Sequence, residues 1–377
     1  MKLPTRRLLL VVNCPFFFLS HRLPIALAAE SAGWEVHIAT APEPASAVAA
    51  IHKQPFVHHP IPLSRSGLHP LKELRSVLAL YHLYRYLQPD IVHQVTIKPV
   101  LYGGIVAKAT GCPAVISAIS GLGYIFTGRS LRHRALRRLA VVLYRAALRH
   151  KRGYTIFQNP EDRKTLKDLG ITNDDQSVMV GGSGVKLDNF YYSPEPGGTP
   201  LVVLPARMLS DKGVVEFVEA ARILRREGFA ARFVLAGGLD PNPAALTAET
   251  LKEWTQEGTV EWWGHCDNMA QVFRECHLVA LPSYREGLPL ALAEAAASGR
   301  AVVTCDVPGC REVVRDGDNG LLVPARDSGA LATAIRTLLK DPERRREMGR
   351  RGRERAEAEF SVDEVVRRHL ELYESLV

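Results

Sequence analysis

The feature that most constrains the fold is a regular alternation of short apolar runs with longer helical patterns, which recurs in both halves of the chain. Strands are predicted at residues 8–12, 36–39, 90–93, 114–117, 177–180, 201–204, 232–236, 259–262, 277–282, 301–304 and 320–323. Helical patterns lie between them, at residues 23–32, 70–87, 214–227, 328–339 and 361–376. Alternation of this kind predicts an α/β fold with parallel, doubly wound sheets.

Two such domains are expected, because 377 residues exceed the size of one typical core. The boundary is predicted at residues 193–200, a stretch rich in proline and glycine that is the best linker in the chain. We therefore expect an N-terminal domain over residues 1–192 and a C-terminal domain over residues 201–360.

Charge is divided unevenly between the two halves. Residues 1–200 contain 24 Lys and Arg against 12 Asp and Glu, whereas the rest of the chain contains 24 against 28. The excess of cations in the first half indicates an anionic partner, such as lipid headgroups, a diphosphate or nucleic acid.

The basic segment 129–152 concentrates this charge in an amphipathic pattern. Its Leu, Val and Ala residues can share one helical face while the Arg residues occupy the rest, which is typical of a helix lying on an anionic membrane surface. A solvated helix packed on the sheet explains the pattern equally well. Nucleic-acid binding is disfavoured, because aromatic residues do not alternate with the charges and no reader motif is present.

The cysteines and the N-terminus favour a cytosolic protein. The six cysteines show neither a CxxC spacing nor a zinc-ligand pattern, so reduced thiols are expected. The apolar run at 8–12 imitates a signal peptide, but Asn13 and Pro15 interrupt it, which favours a buried first strand. No run reaches the roughly 18 apolar residues of a membrane span.

The stretch 283–299 is the first candidate ligand site. Its loop follows a predicted strand, and open α/β sheets bind ligands at the carboxyl ends of their strands. The backbone N–H groups of Gly287 and Leu288 suit an anion such as a diphosphate. Glu286 and Glu294 flank that position, and carboxylates suit a ligand rich in hydroxyls. Compensation of a helix dipole, beside an Ala-rich packing helix, explains the same residues without a ligand.

Two cations follow the predicted strand at 201–204. Arg207 and Lys212 bracket a turn at its carboxyl end, in the same predicted sheet as Glu286. Cations that face a helix N-terminus can hold a diphosphate and stabilise it as a leaving group. Alone the two residues are ordinary surface charge, but beside the Glu286 loop they form a coherent anion cradle.

The loop after the first strand lacks the Gly-x-Gly-x-x-Gly fingerprint of dinucleotide binding. Three consecutive Phe occupy residues 16–18 instead. They either join the core or shape an apolar acceptor site.

Four motifs of the second half stand together: Arg207 with Lys212-Gly213, Trp263-Gly264-His265, Glu286-Gly-Leu-Pro with Glu294, and the run from Pro308-Gly to Leu322-Val-Pro324. In this combination the chain resembles the retaining family 4 glycosyltransferases over nearly its whole length. The resemblance implies the GT-B arrangement, two Rossmann-like domains facing a cleft. It also implies that the last helix, about 361–377, packs back on the first domain.

The resemblance assigns roles to the residues of the anion cradle. It implies that Arg207 and Lys212 contact the nucleotide diphosphate and support its departure. Glu286 would hold hydroxyls of the donor sugar, with the amides of Gly287 and Leu288 nearby.

It also places the nucleoside. Glu294 would bind the ribose, and the loop at His265 and Cys266 would lie against the base. No metal is expected, since the family is generally metal-independent; Asp316-Gly-Asp318 is therefore interpreted as a polar turn.

The first half resembles the bacterial subgroup that elongates sugars on polyprenyl diphosphate carriers. The resemblance rests on three runs, from Phe16 to Arg22, from Asp90 to Pro99 and from Ser120 to Tyr124. Many relatives carry a second His shortly after the position of His93, where this chain has Gln94-Val95. His93 is therefore either a catalytic residue or a buried structural one.

The expected function is transfer of a sugar, preferably N-acetylhexosamine from a UDP-sugar, to a polyprenyl-diphosphate-linked or other glycan acceptor. The expected location is the cytoplasm, peripherally on the inner face of the plasma membrane. A nucleotide-sugar epimerase or a phosphorylase on the same fold, and a non-catalytic partner that binds sugar nucleotides, are the alternatives.

Overall fold

The computed structural model of the protein describes residues 6–63, 69–122, 131–240, 242 and 245–377, with residues 131–136 described by their backbone alone. The chain divides into two compact units. One consists of Met1–Ser183 with Asp363–Val377, and the other of Gly184–Val362.

The first unit contains a parallel sheet of seven described strands with order β3-β2-β1-β4-β5-β6-β7. The strands are β1 (Arg7–Val12), β2 (Glu35–Thr40), β3 (Val57–Pro60), β4 (Ile91–Val95), β5 (Ala114–Ile119), β6 (Gly153–Phe157) and β7 (Ser177–Met179). The helices are α1 (Pro15–His21), α2 (Leu23–Ser31), α3 (Ala45–His52), α4 (Pro70–Leu87), α5 (Gly104–Thr110), α6 (Leu131–Leu148) and α7 (Pro160–Asp168). A π-helical turn, Pro99–Gly103, precedes α5.

The strand order of the first unit reverses between β1 and β4, which pair in parallel with Val12 opposite Val95. The central strands are continuous apolar runs because helices cover both of their faces. The carboxyl ends of β1 and β4 therefore form the position at which open α/β sheets bind ligands.

The last helix of the chain, α15 (Val362–Glu374), packs on the first unit. Val365, Leu372 and Tyr373 are buried in the same core cluster as residues of β1 and β4. The predicted return of the final helix to the first domain is thereby confirmed.

The second unit contains a parallel sheet of six described strands with order β10-β9-β8-β11-β12-β13. The strands are β8 (Leu201–Leu204), β9 (Arg232–Ala236), β10 (Glu261–Gly264), β11 (Leu278–Leu281), β12 (Ala301–Cys305) and β13 (Gly320–Val323). The helices are α8 (Val214–Arg226), α9 (Ala248–Gln256), α10 (Met269–Glu275), α11 (Leu290–Ala297), α12 (Cys310–Val313), α13 (Ser328–Lys340) and α14 (Pro342–Glu359).

The strand order of the second unit reverses between β8 and β11, where Val203 lies opposite Val279. The loops after these two strands contain Arg207 and Lys212 on one side and Glu286 on the other. One sheet edge therefore carries both halves of the predicted anion cradle.

Several elements differ from the expectation, among them strands β3 and β6, which were not predicted. Residues 15–21 form helix α1 rather than an extended loop, because Pro15 occupies a first-turn position and the Phe residues continue the turn. Helix α14 was not predicted at all, because Arg and Glu dominate its sequence and mask the apolar period. It packs through small residues: a Cβ on Gly349 would lie 2.1 Å from the carbonyl oxygen of Gly299.

The predicted linker, residues 193–200, lies within the second unit. The buried guanidinium of Arg300 donates to the Ser193 carbonyl at 2.8 Å, and Arg345 makes a bidentate ion pair with Glu195, both contacts at 2.8 Å. These bonds fasten the segment to α14 and to the start of β12, and the division between the compact units falls at residues 183 and 184.

Candidate functional site

The centre of the candidate site is an ion pair between Lys212 and Glu286. Lys212 Nζ lies 2.5 Å from Glu286 Oε1, and the two side chains are only 19% and 12% exposed. Lys212 ends a short 3-10 turn after β8, and Glu286 lies in the loop after β11. The pair therefore joins the two loops at the position where the strand order reverses.

Close backbone contacts hold these loops together. The Tyr284 N–H donates to the carbonyl of Asp211 at 2.9 Å. Gly213 adopts φ +71°, and a Cβ there would lie 2.1 Å from the carbonyl oxygen of Pro282. Only glycine fits this position, so the Lys212-Gly213 sequence brings the lysine against the opposite loop.

A second glycine supports Glu286 from the other side. Gly309 has φ +81°, and a Cβ there would lie 2.4 Å from the Gly287 carbonyl oxygen and 2.7 Å from that of Glu286. The loop before α12 thus lies directly on the backbone of Glu286. Gly309 belongs to the motif that begins at Pro308, but the sequence pattern alone does not predict its contact with the Glu286 loop.

Arg207 pairs with Asp240, a residue that no sequence motif predicted. Its guanidinium forms an ion pair with Asp240, whose carboxylate is nearly buried while Arg207 is 45% exposed. Asp240 follows β9, and the Gly237 that precedes it packs against the Ala206 carbonyl. The structure therefore ties Arg207 to the β9 loop and Lys212 to the β11 loop.

Glu294 lies in the middle of α11, half-buried among small apolar residues. Its carboxylate has no hydrogen-bond or ion partner among the described side chains, and burial raises the pKa of Glu294 to about 8. A ligand that donates hydrogen bonds to a carboxyl group in such surroundings stabilises its ionised form.

The loop after β10 contains His265 and Cys266. His265 is largely exposed, with Nε2 3.3 Å from Asp267 Oδ1, and Cys266 is half-buried. A Cβ on Gly238 would lie 3.4 Å from His265 Cβ, so this loop lies beside the one after β9. Its place at the same sheet edge follows from the strand order.

His93 lies in the first unit and has no exposed surface. Its Nδ1 and the Tyr373 hydroxyl are 2.7 Å apart and share a hydrogen bond, while its ring stacks on His369 with 5.4 Å between centroids. Burial, and then the charges of His369 and Arg22, hold the pKa of His93 well below its ordinary value. His93 is therefore a neutral imidazole that connects β4 to α15.

The Phe-rich segment forms a helix with two distinct faces. Phe18 is fully buried, Phe17 stacks on His21 at 4.1 Å between ring centroids, and Phe16 is 56% exposed. One Phe thus belongs to the core, and Phe16 presents an apolar side chain to solvent after β1.

The basic segment begins in residues outside the described part of the chain and continues as α6. Arg138 and Arg149 are exposed, and Leu139 and Val142 between them are 55% and 60% exposed. Helix α6 contains no acidic residue. Among the described residues, no helix is long and apolar enough to cross a bilayer.

Asp316 and Asp318 have structural partners. Asp316 Oδ1 accepts from the Leu322 N–H at 2.9 Å, and Asp318 pairs with Arg351 at 2.9 Å. Within the described ranges no group of three or more His, Cys, Asp or Glu side chains is arranged to hold a metal ion.

Comparison with solved structures identifies the fold. A crystal structure of Anabaena HepE in complex with UDP-glucose superposes with a TM-score of 0.77 at 17% identity, covering 98% of this chain and 99% of the other. The two parallel-sheet units are the two Rossmann-like domains of a GT-B protein, and the predicted fold class is confirmed.

Comparison of sequences identifies the family. The model for glycosyl transferases group 1 matches residues 199–341, and that for the glycosyl transferase 4-like family matches residues 7–158. The chain belongs to the family 4 glycosyltransferases, as the motifs predicted.

Two curated relatives act on lipid-linked sugars according to their names. The N,N'-diacetylbacillosaminyl-diphospho-undecaprenol alpha-1,3-N-acetylgalactosaminyltransferase of Campylobacter jejuni is 27% identical over 83% of this chain and 84% of its own. The UDP-Gal:alpha-D-GlcNAc-diphosphoundecaprenol alpha-1,3-galactosyltransferase of Escherichia coli is 22% identical over 70% of each chain. The chain thus resembles the polyprenyl-linked subgroup.

Proposed function

We propose that this protein transfers an N-acetylhexosamine from a UDP-sugar to a sugar carried on polyprenyl diphosphate, with retention at the anomeric carbon. The observation that carries the proposal is the half-buried Lys212–Glu286 pair at the reversal of the second sheet. The Lys212 ammonium can bind a diphosphate, and the Glu286 carboxylate, in direct contact with it, can accept hydrogen bonds from sugar hydroxyls.

In the proposed reaction the bond from the anomeric carbon to the diphosphate breaks, and a bond to the acceptor hydroxyl forms on the same face. The acceptor proton passes to an oxygen of the departing diphosphate, so that no protein nucleophile is required. Lys212, with Arg207, stabilises the negative charge that develops on the leaving group. Glu286 accepts hydrogen bonds from the donor sugar and orients it.

The nucleoside contacts are proposed at the same sheet edge. Glu294 hydrogen-bonds to the ribose diol, which gives partners to a buried carboxyl group that has none among the described side chains. The loop with His265 and Cys266 borders the base. The amides of Gly287 and Leu288, just before α11, face the phosphates, and no metal ion is required in this scheme.

The names of the relatives support the choice of substrates. The Campylobacter jejuni protein is named for N-acetylgalactosamine transfer to a diphospho-undecaprenol acceptor, and the Escherichia coli protein for a UDP-sugar donor. A lipid carrier also agrees with the basic first half of the chain.

Helix α6 is proposed to rest on the anionic inner face of the plasma membrane. Arg138, Leu139 and Val142 are exposed on this helix, Arg149 is exposed directly after it, and the sequence of the helix contains no acidic residue. Apolar side chains that enter the headgroup layer, flanked by arginines that contact lipid phosphates, give peripheral attachment.

The proposal is tested with purified protein, a panel of UDP- and GDP-sugars, and undecaprenyl-diphosphate-linked N-acetylhexosamine as acceptor. We expect UDP release only when UDP-N-acetylhexosamine and acceptor are both present, together with a lipid-linked disaccharide by mass spectrometry. NMR of the product should show the same anomeric configuration as the donor.

Each rival activity gives a different product. An epimerase converts the donor sugar without acceptor, and a phosphorylase releases a sugar 1-phosphate only when inorganic phosphate is added. Donor binding without turnover across the acceptor panel would indicate a non-catalytic partner. Any of these three results contradicts the proposal.

A further inference from the structure

Thr96 holds an unusual backbone conformation at the reversal point of the first sheet. It is the first residue after β4, and its φ is +76°. A β-branched residue rarely adopts this left-handed region, because its Cβ crowds the neighbouring carbonyl. A conformation of this kind persists where the surrounding structure imposes it, and such positions concentrate at ligand sites.

The chain after Thr96 is unusual as well. The carbonyl of Thr96 accepts from the Val100 N–H at 3.0 Å, and the π-helical turn Pro99–Gly103 follows. Turns of this type are rare and are frequent at functional sites. Two uncommon backbone features therefore lie within eight residues, directly after the strand where a ligand is expected.

Two hydroxyl groups at this edge have no partner among the described residues. Thr96 Oγ1 and Ser120 Oγ are both shielded from solvent and make no hydrogen bond within that part of the chain. The pairing of β4 with β5 sets Val95 opposite Ala118, so the two hydroxyl residues follow neighbouring strands at the same sheet edge. Buried polar groups are normally paired, and an unpaired one costs stability unless a ligand or water completes it.

The chemistry of these two groups suits a sugar. Hydroxyls both donate and accept hydrogen bonds, as the hydroxyls of a sugar ring do. A paired cation lies on the same side of the sheet: Lys98 Nζ is 2.6 Å from Glu73 Oε1, with the two side chains 12% and 14% exposed.

We propose that Thr96 and Ser120 bind hydroxyl groups of the acceptor sugar, and that the left-handed conformation of Thr96 is kept because it aims this side chain at the acceptor. The inference rests on the proposed function, since it names the acceptor contacts of the same reaction. Both residues are half-buried as a whole, whereas their hydroxyl oxygens are shielded, so contact with the acceptor requires each side chain to change its χ1 rotamer.

Thr96→Gly separates the two roles of the residue. Glycine adopts φ +76° without crowding, so the variant should melt at a higher temperature than the wild type. Loss of the hydroxyl should raise the KM for undecaprenyl-diphosphate-linked N-acetylhexosamine about tenfold, with the KM for the UDP-sugar unchanged. Ser120→Ala should raise the acceptor KM in the same way. Thr96→Ser keeps the hydroxyl that Thr96→Gly loses, so its acceptor KM should equal that of the wild type.

Gln88→Gly is the matched control. Gln88 also has a positive φ, +47°, and lies exposed at the end of α4. This variant should gain thermal stability in the same way without any change in acceptor KM. The control shows whether relief of backbone strain alone alters the acceptor KM.

The proposal is overturned if Thr96→Gly and Ser120→Ala both keep the wild-type acceptor KM while transfer proceeds normally. It is also overturned if Thr96→Gly raises the KM for the UDP-sugar as much as that for the acceptor. Failure of the proposed function looks different, because the wild-type protein itself then transfers nothing. In that case, titration calorimetry with the same lipid-linked sugar must show weaker binding to both variants than to wild type. Equal binding contradicts the inference.

Discussion

The two sheets of this protein share one topology but present different chemistry at corresponding edges. The order β3-β2-β1-β4-β5-β6 of the first unit matches β10-β9-β8-β11-β12-β13 of the second, so each has one reversal point between its two central strands. In the second unit that edge carries the Lys212–Glu286 ion pair. In the first unit the corresponding edge carries the hydroxyls of Thr96 and Ser120 and the exposed ring of Phe16.

The difference shows that strand order and loop residues determine different properties of a binding site. Parallel strand order fixes where a ligand is expected, and the residues in the loops fix which ligand suits the place. Charged groups in close contact suit a diphosphate and a sugar held in one orientation. Hydroxyls and an apolar ring that follow neighbouring strands suit a sugar, whose recognition depends on shape and hydrogen bonds.

The largest effect is expected from removal of the charge pair in the second unit. Lys212→Ala should lower kcat about 100- to 1,000-fold, because one preorganised cation at the leaving diphosphate is lost. Glu286→Gln keeps the size of the side chain and should lower kcat/KM for the donor sugar. Steady-state rates of UDP release measure both.

Arg336→Ala is the control for these variants. Arg336 of α13 pairs at 2.6 Å with Glu227, the residue that follows α8 in the same unit. An exposed pair of this kind contributes little, so activity should stay near that of the wild type. Near-wild-type turnover of Lys212→Ala would mean that Lys212 does not stabilise the leaving diphosphate, and the contrast between the two sheet edges would fail.

A smaller effect is expected from the surface of the first unit. The double substitution Arg138→Ala with Arg149→Ala should weaken binding to vesicles of anionic phospholipid about 10- to 30-fold, since each cation near such a surface contributes about 1 kcal/mol. Co-sedimentation with vesicles measures the change, and added salt should reduce the difference between the variant and the wild type.

Arg226→Ala with Arg344→Ala removes two exposed arginines from the second unit and should leave binding unchanged. Equal binding of the α6 variant and this control would mean that α6 is only a packing helix.

The smallest effect concerns the carboxyl group of Glu294. Its pKa is raised by burial from 4.5 to about 8, so the folded protein keeps a proton that the unfolded chain releases above pH 4.5. The stability that this proton provides is therefore complete below pH 4.5 and declines as pH rises to about 8. Between pH 5 and pH 8.5 the wild type should lose more in Tm than Glu294→Gln, by at least the ~2–4 °C that about 1 kcal/mol gives in a unit of this size. Parallel pH profiles of the two proteins would show that Glu294 titrates normally.

Much of the fold could be predicted because its signals are local. Runs such as Leu201–Leu204 are apolar throughout, since strands of a parallel sheet are buried on both faces. Their alternation with helices predicted two parallel sheets, and Gly and Pro marked most of the boundaries. Helix α14 escaped prediction because a helix with charges on most of its surface shows no clear apolar period.

The candidate site could be predicted only as a set of residues. Lys212 and Glu286 are 74 residues apart and were predicted to share one cradle, but their direct contact depends on the pairing of β8 with β11. The partners of Arg207 and His93 were missed for the same reason. Asp240 and Tyr373 become neighbours only through tertiary structure, and neither belongs to a motif. The left-handed conformation of Thr96 has no sequence signal, because threonine ordinarily avoids it.

The hydrogen bond between His93 and Tyr373 has a consequence for the order in which the chain folds. These residues are 280 positions apart, and α15 contributes Val365 and Leu372 to the core beneath β1 and β4. During synthesis the whole second unit leaves the ribosome before α15 does. The second unit is therefore able to fold first, although it is encoded later than most of the first. The core of the N-terminal sheet is complete only after α15 has been released.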